Sequence, residues 1–76
     1  MNKHRRKTIN EIIDKIVDLR DLLDEVRNEE ECYKDNIPEN LQSSVRYEKA
    51  KNAVGILEDA VIYLDDTIDL LREVVE

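Results

Sequence analysis

Glu30 stands where an apolar side chain is expected. It interrupts the series Ile9, Ile12, Ile16, Leu19, Leu23 and Val26, which ends at Tyr33. The 3-4 spacing of that series is a heptad seam. Arg27, Lys34, Arg46 and Lys49 surround Glu30 along the chain, and Tyr33 and Tyr47 are close. A carboxylate in a seam beside such cations can do two things. It can form a register-setting polar pair, with Arg46 or Lys49 as its partner. Alternatively, Glu30, Tyr33, Arg46, Tyr47 and Lys49 can frame a ligand pocket near a turn. Arg46 would then hold an anion while the tyrosine rings supply flat walls.

No other constellation suggests chemistry. His4 is the only histidine and lies far from Cys32, the only cysteine. An internal disulfide is therefore impossible, and no metal-ligand cluster or cofactor is expected. There is no HExxH, no glycine-rich phosphate loop and no CxxC. Glu48 and Glu58 lack the Glu-x-x-His element of a di-metal carboxylate site. No catalytic residue is expected, and the chain reads as a non-enzyme. A lone cysteine without a signal peptide points to a reducing, cytoplasmic setting. No apolar run approaches the ~20 residues that span a bilayer.

Charge sets further bounds. There are 19 acidic and 12 basic side chains, a net charge of −7. That balance argues against direct nucleic-acid binding and anionic membranes, and it permits basic partners. Asp14, Asp18, Asp21 and Asp24 line the first half. Glu58, Asp59, Asp65, Asp66 and Glu73 line the second. Such rows are a solvated surface or, as a sharper reading, a mimic of DNA phosphates. The basic start, Lys3, Arg5, Arg6 and Lys7, can bind nucleic acid. It can instead neutralise Asp69, Glu73 and Glu76 if the chain ends meet.

Charged residues make up 41% of the chain, with one glycine, one proline and neither Phe nor Trp. Two helices that meet through aliphatic side chains are expected to position these groups. The first should run from about residue 4 to 34. The second, from about 43 to 75, carries the seam Tyr47, Ala50, Val54, Leu57, Val61, Leu64, Ile68, Leu71 and Val75. Folded antiparallel, Ile9 meets Leu71, Ile16 meets Leu64, Leu23 meets Leu57 and Val26 meets Val54. Glu30 then faces Ala50, and Tyr33 faces Tyr47. The fold class is all-α: one domain, 1–76, forming an antiparallel, coiled-coil-like two-helix hairpin. The turn spans about 35–43. Pro38 opens a helical turn there, Ile37 and Leu41 plug the seam, and Ser43 or Ser44 caps the second helix. Gly55 inside that helix either allows a close backbone approach or is simply tolerated.

The second helix carries more apolar surface than one partner can cover. Ala53, Ile56, Ala60, Tyr63, Thr67, Leu70 and Val74 form a second 3-4 stripe, which Ile62 widens. An uncovered stripe marks an interface. Two-fold dimerisation into a four-helix bundle is the economical solution, and a different protein on the stripe is the rival.

The run DNIPENLQSSVRYEKA, between NKHRRK and AVGILEDAVIYLDDTIDLL, resembles a family of short helical proteins of phages and prophages of Gram-positive bacteria. Asp35, Asn36, Ile37, Pro38, Glu39, Asn40, Leu41 and Gln42 match its linker. Leu57, Glu58, Asp59 and Ala60 match an L-E-D-A-type repeat. Val45 departs from it, where a charged residue is common, and the second helix is more apolar than is typical. The resemblance implies a helical hairpin in an infected bacterial cell and no established activity. The function expected is an oligomeric hairpin that binds and neutralises a host component, with an anti-phage defence factor as the candidate. The alternatives are a sponge for an anionic nucleotide signal, a structural assembly module and an acidic DNA mimic.

Overall fold

Local chemistry sets where each helix begins and ends. The computed structural model describes residues 1–76. Helix α1 spans Lys3–Asp35 and helix α2 spans Val45–Val75, with a single 3-10 turn, Glu39–Leu41, between them. Asn2 caps α1: its Oδ1 accepts from the Arg5 N–H at 2.8 Å, satisfying one of the helix's four orphan donors. At the other end Asp35 and Asn36 are weak helix formers, and Pro38 disfavours helix at Ile37. Asn36 closes the helix by donating its N–H to the Cys32 carbonyl at 3.0 Å. Ser44 caps α2, as expected, with its Oγ accepting from the Tyr47 N–H at 3.2 Å. Pro38 precedes the 3-10 turn rather than opening it. Ile37 does plug the end of the seam and is buried, while Leu41 is half exposed.

The two helices pack along their length as an antiparallel hairpin 59 Å long and only 15 by 13 Å in section. Its core is thin. Only Ile13, Ile37, Ala50, Val54, Val61 and Ile68 are buried. The α2 side of the interface follows the expected seam: Ala50, Val54, Val61 and Ile68 are buried, and Tyr47, Leu57, Leu64, Leu71 and Val75 are half-buried between them.

The α1 side does not. Ile9, Ile16, Leu23 and Glu30 do face inward, half-buried. Their expected companions Ile12, Leu19, Val26 and Tyr33 instead remain 41–62% exposed. Ile13, Arg20, Arg27 and Lys34 take their places. Each replacement is one residue on, about 100° around the helix. Helix α1 is therefore rolled, so that part of its apolar arc points past α2 rather than at it. In this arrangement cations of α1 reach acids of α2. Arg20 and Arg27, seven apart, meet Asp65 and Glu58, seven apart in the opposite direction on α2.

Candidate functional site

The roll of α1 gives the hairpin two unlike long sides. On the first side Arg20 grips Asp65 with both ends of its guanidinium: Nε donates to Oδ1 at 2.8 Å and Nη2 to Oδ2 at 3.2 Å. Nη1 also donates to Asp21 at 3.1 Å. Arg27 sits among three carboxylates. It donates to Glu31 and Glu58 at 2.9 Å each and lies 3.5 Å from Asp24. Both guanidinium groups are held above the ordinary arginine value. For Arg20 the hydrogen bond to Asp65 is the main cause, with Asp21 assisting. For Arg27 desolvation pulls the other way and is outweighed by Glu31 and Glu58. This side is a closed ladder of charge. Asp21, Asp24, Glu58 and Asp65, four members of the acidic rows, share these two guanidinium groups with Glu31 and leave the side net negative.

The second side is apolar. Tyr33 and Arg46 tie the two helices together on it. The Arg46 Nε donates to the Tyr33 hydroxyl, and its guanidinium carbon lies 5.1 Å from the centre of the Tyr33 ring. Tyr33 belongs to the heptad set Ile12, Leu19, Val26, Tyr33. Arg46 heads the set Arg46, Ala53, Ala60, Thr67, Val74. The Tyr33–Arg46 contact thus places both stripes on one side, opposite the ion pairs. Ile56, Tyr63 and Leu70 flank them, exposed at 68, 68 and 62%. Ala53 and Ala60 are half-buried, Val74 is 48% exposed, and the Thr67 hydroxyl donates to its own helix at the Tyr63 carbonyl. The seven residues of the expected second stripe are therefore together on one face.

Sequence reasoning missed the contribution of α1 to that face. Heptad spacing puts Ile12, Leu19 and Val26 in the hairpin interior, and they stand instead beside the α2 stripe. The clue was present in Arg20 and Arg27, cations seven apart with acids at the matching spacing on α2, which mark the side where the helices close by charge; Lys34, the next in the series, pairs with Asp35 on its own helix. Ile62 does not widen the stripe. It lies on the charged side, in a depression with Asp24, Arg27 and Glu58. Gly55 does not permit a close approach, since a Cβ added there would meet nothing within 4 Å.

The turn forms a cleft of about 290 Å³ on the apolar side. Ile37 is its floor, Tyr33, Pro38 and Leu41 are its walls, and Asn36, Ser44 and Arg46 give it a polar edge. Of the five residues expected to frame a pocket, the structure brings Tyr33 and Arg46 together. It leaves Glu30, Tyr47 and Lys49 outside the cleft. Glu30 forms no ion pair, with Arg46 or with Lys49, so the register-setting role falls to Arg20 and Arg27. The basic start forms no ion pair with Asp69, Glu73 or Glu76, and Arg6 bonds the Met1 carbonyl instead. No group of three His, Cys, Asp or Glu side chains is placed to hold a metal ion. No helix is long and apolar enough to cross a membrane.

Comparison with protein-family models, curated proteins and solved structures gives no match.

Proposed function

We propose that this chain is a non-enzymatic binding protein: a hairpin that assembles through its apolar side and, assembled, binds and neutralises a protein component of its host cell. One observation carries the reading. Eight large apolar side chains, four from each helix, stand 41–68% exposed on one side, while the other side is closed by ion pairs. Exposed apolar surface of that extent and sidedness is an interface. The likeness of residues 35–42 and 57–60 to the phage family supports an infected bacterial cell as the setting, and an anti-phage defence factor is the target class we propose within it.

Native mass spectrometry of the protein drawn gently from a bacterial lysate tests this. The expected masses are integral multiples of 9.0 kDa, with or without a bound protein. Ile56→Asp or Tyr63→Asp should collapse them to the single chain. Both side chains are 68% exposed, so neither change disturbs the hairpin itself. A variant that keeps full assembly mass overturns the reading.

The Tyr33–Arg46 contact at the cleft favours a second reading, a sponge for a small anion. Its volume, about 290 Å³, lies at the lower end for ligand pockets. Calorimetry against a panel of nucleotides should give heat that Arg46→Gln abolishes, and no heat across the panel removes this reading.

A further inference from the structure

We infer that the apolar side is covered by a second copy of this chain, related by a two-fold axis running along the hairpin. Helix α1 of each copy then lies over α2 of the other, and both turns stand at the same end. This rests on the reading of the protein as an assembling hairpin, and it adds the geometry.

The occupant follows from supply and demand. A chain of 76 residues with six buried side chains has little core of its own, and its one cysteine cannot form an internal disulfide to staple it. The exposed parts of the eight apolar side chains sum to roughly 700 Å² per copy, near the ~800 Å² that each partner buries in a standard interface. The stripes Ile12–Leu19–Val26 and Ala53–Ala60–Thr67–Val74, with Ile56, Tyr63 and Leu70 beside them, contain no charged residue. A chain of net charge −7 can therefore meet its own copy there without placing acid on acid at the centre.

The orientation follows from side-chain size. The α1 stripe is large, whereas α2 is small along the centre of this face, at half-buried Ala53 and Ala60 and at Thr67, and carries its large residues Ile56, Tyr63 and Leu70 on the exposed outer edge. With the two turns at opposite ends, each helix would face its own counterpart. Large would then meet large on α1 and small would meet small on α2, giving a bundle too wide at one pair and too loose at the other. An axis along the hairpin sets large over small at both contacts and keeps the helix spacing even. Protein interiors pack to near-crystalline density, so even spacing is favoured. Residues at one level of the hairpin then meet across copies. Near the turn, where Tyr33–Arg46 fixes that level, Glu29 of one copy comes opposite Lys49 of the other, and neither has an ion-pair partner within the chain. The two turn clefts stand side by side, giving the assembly one distinctive end.

The full chain carrying Cys32→Ser and Gln42→Cys, spin-labelled at the new thiol in the turn, reads the geometry directly by pulsed dipolar spectroscopy. Turns at the same end of a bundle with helices ~8–10 Å apart give an interspin distance of roughly 20–30 Å. Turns at opposite ends give a distance approaching the 59 Å length of the hairpin, which overturns the orientation while leaving the assembly standing. A dimer mass with the short distance supports the inference. A single-chain mass with no dipolar coupling overturns both the inference and the assembly reading beneath it.

Discussion

Arg20 and Arg27 cross one side of the hairpin to Asp65 and Glu58, while on the other side Leu19 and Val26 stand half exposed beside Ala60 and Ala53. Both sides are built from the same device, residues repeating every seven positions on two antiparallel helices. They differ in whether the single chain can finish them. An ion pair at the surface remains partly hydrated and is complete with two side chains. An apolar stripe is complete only when water is removed from both its flanks, and a two-helix layer leaves one flank open. The charged side therefore fixes how α1 meets α2, and the apolar side is left to what comes next.

The largest effect should come from charging the apolar side. Tyr63→Asp, and independently Leu19→Asp, should dissociate the assembly in sedimentation at micromolar concentration. Desolvating a carboxylate there costs several kcal/mol per site. Leu19→Asp is the sharper of the two. It succeeds only if α1 contributes to the same face as α2, and unchanged mass would return Leu19 to the hairpin interior. Charging Ile62, which is 54% exposed but lies on the other side, should leave the mass alone.

Removing the guanidinium of Arg27 should have a smaller and different effect. Arg27→Gln leaves Asp24, Glu31 and Glu58 facing one another, so the midpoint of thermal unfolding should fall more in dilute buffer than in ~1 M salt. Assembly through the apolar side should show the reverse trend. Acidity offers no such lever on these arginines. Their folded values are raised above the unfolded one. Their contribution is therefore intact below the unfolded value and is lost only at higher alkalinity, as pH passes the folded value. Between pH 6 and pH 9 a constant loss for Arg27→Gln relative to the natural chain is the expected result.

The contrast also shows what the sequence could convey. Helix limits were readable to within about two residues, because the breakers at Asp35–Pro38 and the cap at Ser44 act locally. The α2 seam was readable because its apolar arc is centred on its partner. The α1 seam was half misread for a physical reason: periodicity finds the centre of an apolar arc, not the direction in which it points. The arc of α1 aims partly past α2, so spacing alone puts Ile12, Leu19, Val26 and Tyr33 inward where the structure leaves them 41–62% exposed. The closing ion pairs are long-range, and nothing local marks Arg20 as the partner of Asp65 rather than of a nearer acid. The turn was recognisable as a turn. Its cleft depends on Leu41 staying half out while Ile37 goes in, which composition does not decide.

The smallest effects come from enlarging one small residue on each side. Gly55 is helical, has a negative φ and lies where an added Cβ meets open space beside Glu58. Gly55→Ala should stabilise the protein by about 0.8–1 kcal/mol, through helix propensity and a less free unfolded chain, at fixed protein concentration and with unchanged assembly mass. Ala60 carries the same kind of small side chain on the other face. Ala60→Leu should weaken assembly, because the small stripe is where the large residues of the second copy must fit. If Gly55→Ala instead disrupted assembly and Ala60→Leu did not, the second copy would sit on the charged side. Arg27 and Glu58 would then belong to an interface between chains, and the apolar side would still await its partner.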